Sequence, residues 1–128
     1  MAGYTTNIER DTLENENFRK VLYTAPNLQL VLMTLQPGDE IGTETHEHGD
    51  QFFRVEGGEG AAILDGETHE LADGDIVVIP AGVEHNIVNT SADTPLRVYT
   101  IYAPPEHPDG TVNKTKADAD EYAKTHHH

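Results

Sequence analysis

The sequence predicts an all-β domain, a barrel or sandwich of short strands. Three observations carry this expectation. Short runs rich in apolar residues recur at regular spacing, Gly-rich turns separate them, and Asp65-Gly66 between AAIL and ETHEL is a strong two-residue hairpin signal.

Residues 1–17 are polar and weakly patterned and predict an arm with a short turn or helix. Regular structure is expected from Phe18, with FRKVLYT and LQLVLMTL as two strands around an Ala25-Pro26-Asn27 turn. The second run is apolar on both faces, which predicts a central, covered strand. Pro37-Gly38-Asp39 then turns the chain into a strand expected to carry Glu44 and His46, and Gly49-Asp50 marks the next turn. Residues 51–56 are strand again, and the Gly57-Gly58-Glu59-Gly60 cluster is a tight turn rather than a phosphate cradle. After the hairpin, Asp73-Gly74 leads into DIVVIP, and Ala81-Gly82 leads into a strand beginning near Glu84. LRVYTIY is the last strand and stops at Ala103-Pro104-Pro105.

Three segments follow: an N-terminal arm at 1–17, a β-barrel domain at 18–105 and a polar C-terminal segment at 106–128. Within the last, residues 116–124 suit a short helix with Tyr122 as its large apolar anchor. The run His126-His127-His128 has the look of a purification-tag remnant and is set aside.

With 128 residues, the chain is long enough for one domain with a single core. Eight Lys and Arg against 23 Asp and Glu give a formal net charge of −15, a field that repels phosphate backbones and anionic lipid, so no nucleic-acid or membrane partner is expected. A solvated, solubilising surface accounts for that charge, and adaptation to a high-salt host is the alternative. No apolar run approaches the ~20 residues of a membrane span, and MAGYTTNIERD lacks a signal-peptide pattern, which predicts a cytoplasmic protein. Cysteine is absent, so any metal must be held by nitrogen and oxygen. There is no P-loop, dinucleotide glycine fingerprint or G-x-S-x-G elbow.

Most metal-capable side chains fall in two stretches, residues 37–58 and 74–89. Glu44, His46 and His48 are two residues apart, a spacing that puts them on one face of an extended strand. Gln51 follows, and His85 arrives in the second stretch. Imidazole, carboxylate and amide oxygen together suit zinc, manganese, iron or nickel.

These residues also carry a family resemblance. The second stretch matches every fixed position of the cupin motif G-x5-P-x-G-x2-H-x3-N, at Gly74, Pro80, Gly82, His85 and Asn89. The first cupin motif, G-x5-H-x-H-x3 or 4-E-x6-G, fits when counted from Gly38: Glu44 takes the place of the first His, His46 the second, Gln51 the place of Glu, and Gly58 closes it. Taking His46 and His48 as the H-x-H pair leaves too short a gap before Gln51. The chain thus resembles small single-domain cupins, over about residues 18–103.

That resemblance implies a double-stranded β-helix, or jelly-roll barrel, with a metal held inside by Glu44, His46, Gln51 and His85. This set departs from the common three-His, one-Glu set and is similar to the zinc site of phosphomannose-isomerase-like cupins, with Gln and Glu exchanged. A divalent ion is therefore expected, zinc first, with manganese, iron or nickel as alternatives. The competing reading of the same residues has Glu44 and Gln51 hydrogen-bonding each other beside neutral histidines. His48 is a fifth ligand, a rim acid-base group or simply exposed. Glu47, His48 and His107 are the candidate proton-moving groups at the rim.

Phe53 and Val55 share the Gln51 face and should pack the core, Arg54 and His69 suit the surface, and Asn89 suits a turn. The expected function is a metal-binding small-molecule cupin, isomerase-like or lyase-like, with the ion as Lewis acid. Two alternatives stand beside it: an iron-dependent dioxygenase, and a non-catalytic metal or ligand-binding protein. The resemblance further implies a homodimer.

Overall fold

A computed structural model describes residues 3–125; the His126-His127-His128 run lies outside them. The chain runs α1 (Ile8–Glu14), β1 (Arg19–Thr24), β2 (Gln29–Leu35), β3 (Asp50–Gly57), β4 (Glu59–Leu64), β5 (Glu67–Ala72), β6 (Ile76–Ile79), β7 (His85–Asn89), β8 (Leu96–Ala103), β9 (Val112–Asn113) and α2 (Lys116–Thr125). The strands form a six-stranded sheet, β6-β3-β8-β2-β1-β9, and a three-stranded sheet, β5-β4-β7. Every named pairing is antiparallel. One apolar core, with Val31, Met33, Phe53 and Val98 from the larger sheet and Ala62, Leu71 and Ile87 from the smaller, joins the two.

Local chemistry explains the joints. Asp65 and Gly66 both have positive φ, 48° and 84°, and Leu64 faces Glu67 across the loop, as a primed two-residue hairpin requires. Strand β2 sits between β1 and β8 with nearly every residue buried, the covered strand that its two apolar faces predict. Asn7 caps α1 by accepting a hydrogen bond from Arg10 N at 2.9 Å.

Three features differ from the sequence expectation. The segment leading to Glu44 and His46 is not a strand. It makes two isolated bridges to β7, Glu40 with Val88 and Glu44 with His85. Gly38 and Gly42, at φ 85° and 107°, break the extended run that the two-residue spacing suggests. A two-residue strand, β9, forms beyond Pro105 and pairs with β1 at the sheet edge. Helix α2 is anchored by buried Ala119, with Lys116 5.7 Å from the centre of the Phe18 ring, whereas Tyr122 is half-buried.

Candidate metal centre

The site begins with a polar interruption of the inward register. In the larger sheet, alternation sends Val31, Met33 and Leu35 of β2, Phe53 and Val55 of β3, and Leu96 and Val98 of β8 into the core. At one end the same register puts Gln29 opposite Tyr102 and Tyr102 opposite Gln51. All three are buried, at 0%, 3% and 2% exposure. One end of the barrel interior is thus polar, the other apolar.

Glu44 and His85 close this end from the other side. Their backbones exchange two hydrogen bonds of 2.9 Å, Glu44 N to His85 O and His85 N to Glu44 O. Such a pair holds its side chains on one face. Gly82 N donates to His46 O at 2.9 Å, which ties the other end of the Glu44-Thr45-His46 segment to the turn before β7. As a result Glu44 Oε1 lies 3.3 Å from His46 Nε2 and 3.8 Å from His85 Nε2. One donor atom from each of Glu44, His46 and His85 falls within 4.8 Å of the others. The spacing is compatible with a single ion between them.

A metal placed there would meet buried polar atoms that the protein itself leaves without a hydrogen bond. Among the described residues, the buried side-chain nitrogen and oxygen atoms without a hydrogen-bond partner are His46 Nε2, Gln51 Oε1, His85 Nε2 and Arg19 Nε. Leaving such an atom dry and unmatched, as Gln51 Oε1 is, costs about 1–3 kcal/mol; the two imidazole nitrogens have only the Glu44 carboxylate, 3.3 and 3.8 Å away. Three of the four belong to residues of the two motifs. The second nitrogen of each ring faces an acceptor: His85 Nδ1 is hydrogen-bonded to Val83 O at 2.9 Å, and His46 Nδ1 lies within ion-pair distance of Glu106 Oε1, at 3.5 Å. A carbonyl only accepts, so His85 donates its Nδ1 proton to Val83 O, which leaves Nε2 as the nitrogen that faces the cluster. Gln51 Nε2 donates to Thr100 Oγ1 at 3.0 Å, which leaves its oxygen free. Glu44 and Gln51 are not hydrogen-bonded to each other: the Gln51 nitrogen bonds Thr100 and its oxygen has no partner. A nitrogen and oxygen donor set of this composition fits a divalent cation.

Electrostatics agree with that geometry. Burial acts to raise the Glu44 carboxyl, but His46 and His85 overcome it and hold its pKa at about 2. The facing Glu44 carboxylate raises the His46 pKa against the opposing effect of burial, and Glu106 adds to the rise. Burial pushes the Tyr102 hydroxyl well above the usual phenol range, so it stays a neutral donor.

A cavity of about 310 Å³ opens beside the cluster, lined by His46, Glu47, His48, Tyr102, Pro104 and Glu106 among others. Glu47 and His48 are exposed at its rim, in a turn past the end of the Glu44–His46 segment. His107 is half-buried behind Tyr102, its Nε2 3.3 Å from the Tyr102 hydroxyl. Phe53 and Val55 are core residues, Arg54 pairs with Glu56 at 3.1 Å, and His69 is exposed. Asn89 bonds Leu35 O and Thr94 O, both at 2.9 Å, and so closes a turn. Gln29, Tyr102 and Glu106 were not singled out by the motifs. For Gln29 and Tyr102 a signal exists, a polar residue in the inward phase of an apolar strand; Glu106 carries none.

A two-sheet antiparallel barrel with two imidazoles and a carboxylate gathered at one end defines a class of small, metal-capable β-barrels. The chain belongs to the cupin family: residues 31–102 match the model described as Cupin domain. It is 44% identical over 122 residues to the uncharacterized protein YrkC of Bacillus subtilis (strain 168), covering 91% of this chain and 65% of that protein. The chain therefore spans slightly less than two thirds of that relative. The crystal structure of BH2720 from Bacillus halodurans is similar with a TM-score of 0.89 and 44% identity, covering 92% of this chain and 93% of that one. A predicted oxalate decarboxylase from Thermotoga maritima is similar with a TM-score of 0.57 and 26% identity, covering 60% and 66%. Among the described residues no helix is long and apolar enough to cross a membrane.

Proposed function

We propose that this chain is a metal-dependent small-molecule enzyme of isomerase-like or lyase-like type, with Glu44, His46, Gln51 and His85 holding a divalent ion, zinc first. One observation carries the reading: the buried, unpartnered atoms His46 Nε2, Gln51 Oε1 and His85 Nε2 come from motif residues, beside the Glu44 carboxylate. When bound there, the ion would supply Lewis-acid polarisation of a substrate carbonyl or hydroxyl.

The chain's own groups do the rest. Tyr102, neutral and at the cavity wall, donates a hydrogen bond to a substrate oxygen. Glu47 and His48 at the rim, with His107 behind Tyr102, are the groups available to move a proton. The cavity, about 310 Å³, suits a small-molecule substrate. The oxalate chemistry named for the Thermotoga maritima protein transfers weakly, because Gln51 stands where the family motif has Glu.

The test is aldose–ketose interconversion with metal-reconstituted protein. Absence of turnover with every divalent ion tried would sink the isomerase form. A second reading rests on the two-His, one-carboxylate composition of the Glu44, His46 and His85 cluster, which also suits non-haem iron and dioxygen. Oxygen uptake by iron-loaded protein separates the two. Pairing as a homodimer belongs to the same proposal. Exposed Val78, opposite Phe52, and exposed Ile76, opposite Arg54, lie on the outer face of the larger sheet and support a self-association surface, which mass in solution would test.

A further inference from the structure

Both histidines of the cluster have one ring nitrogen turned toward the centre and the other held from behind. For His85 the holder is backbone, the Val83 carbonyl at 2.9 Å. For His46 it is a side chain, Glu106, whose Oε1 is 3.5 Å from Nδ1. The two rings lie 5.2 Å apart, so a small rotation of either changes where its lone pair points. A backbone carbonyl next to its own strand is a rigid holder. A glutamate on a loop is not, unless the loop is itself held.

It is held. Glu106 N and His107 N donate to Gln29 Oε1 at 3.2 and 3.0 Å, and Gln29 Nε2 donates to His107 O at 2.7 Å and to Thr24 Oγ1 at 2.9 Å. Gln29 is wholly buried, and these four bonds use both amide hydrogens and both carbonyl lone pairs. A satisfied buried amide has one orientation, so the loop backbone at residues 106 and 107 is pinned to β2. The Glu106 side chain is about one quarter exposed and reaches back to His46 from that anchor, at 27% exposure against 16% for the ring.

We infer that Glu106 is a positioning residue for the metal site: anchored through Gln29, it accepts the Nδ1 proton of His46 and so holds the ring with Nε2 facing Glu44 and His85. This rests on the proposed metal site and adds a fifth residue to it, one that does not itself contact the ion. Carboxylates that orient a ligating imidazole raise its basicity and keep it in the ligating tautomer, and their loss costs roughly 10–100-fold in metal affinity.

The experiment measures zinc affinity by chelator competition for the full chain and for Glu106→Leu, Glu106→Gln and Asp109→Asn, and records the histidine Nδ1 proton resonances of the zinc-loaded proteins. Asp109 is an exposed acid of the same segment and reports general electrostatic attraction. The expected result is one zinc per chain throughout, about 10–100-fold weaker binding in Glu106→Leu, and a smaller loss in Glu106→Gln, which keeps an acceptor oxygen. Asp109→Asn should bind as the parent does. The His46 Nδ1 proton should exchange faster in Glu106→Leu, with that of His85 unchanged. Equal affinity in all variants overturns the inference, and so does a loss that Asp109→Asn shares or that leaves the His46 resonance unaltered. Loss of the bound zinc altogether from folded Glu106→Leu would make Glu106 a ligand and also overturn it. Failure of the parent chain to bind zinc or any other divalent ion refutes the metal site itself, a different outcome.

Discussion

Glu44 and His85 form a single antiparallel bridge, exchanging two backbone hydrogen bonds of 2.9 Å, and by this contact a residue from each motif is brought to one point. Substituting either side chain leaves the backbone bridge intact, so the loss should be chemical rather than structural. Glu44→Ala and His85→Ala should each lose metal while keeping the parent circular dichroism spectrum. His48→Ala, exposed in the rim turn, should retain it. Metal content by elemental analysis decides; retention in Glu44→Ala with loss in His48→Ala would overturn the register of the first motif.

Gln51 is 2% exposed with its oxygen unpartnered. Gln51→Glu adds an uncompensated buried charge at the polar end of the barrel, and should lower the stability of metal-free protein by about 1–3 kcal/mol. With metal bound the second carboxylate is compensated, so affinity should rise. Urea unfolding with chelator and with metal checks both signs. A variant that is more stable without metal and binds it no better contradicts this placement.

The Glu44–His46 pair makes metal-free stability depend on pH at both ends. Glu44 is depressed from 4.5 to about 2, so its contribution is complete above 4.5 and fades as pH falls toward 2. His46 is raised from 6.5, so its contribution is complete below 6.5 and is lost as pH rises through the folded value. The stability difference between parent and Glu44→Gln should therefore be largest between pH 4.5 and 6.5. Metal binding must displace the His46 proton, so apparent affinity should climb with pH through and beyond 6.5. Thermal unfolding across pH, with chelator and with metal, reads both trends.

Gly58 closes the first motif for a reason of space. Its φ is +88°, and a Cβ there would lie 2.3 Å from Pro95 O, a backbone atom that cannot swing aside. Gly58→Ala should cost at least about 2 kcal/mol in urea unfolding, from strained φ plus overpacking. Gly74 has a similar φ of +92° with open space around it, so Gly74→Ala should cost only the conformational part, about 1 kcal/mol. Equal losses at both would remove the packing explanation.

Tyr102→Phe removes the hydroxyl next to His107 and keeps the buried ring. Thermal stability should change by about 1 kcal/mol or less, while any turnover identified for the protein should fall more than its metal affinity. Loss of metal in this variant would argue against a substrate-facing hydroxyl.

Much of this protein was legible in the residues themselves. Alternation and turn chemistry located β1, β2, β3, β4 to β8 and α2, because each signal is local: two-residue periodicity, Asp-Gly, Pro-Gly. Counting from Gly38 and Gly58 rather than from the conspicuous His46-Glu47-His48 triplet selected Glu44 and His46, the two that meet His85 in space. The spacing of the first motif predicts a strand that does not form, since spacing fixes which residues can share a face and not whether Gly38 and Gly42 leave the backbone extended.

What the sequence determined alone was the strand pattern, the turns and the residue types able to bind a cation, since these follow from neighbours in the chain. Only the tertiary structure decided which second nitrogen each histidine has occupied, and by what. Val83 holds His85 from two residues away, but Glu106 reaches His46 from a loop that Gln29, on a different strand, pins. Contacts of that kind depend on sheet register and loop path, and neither is written in local pattern.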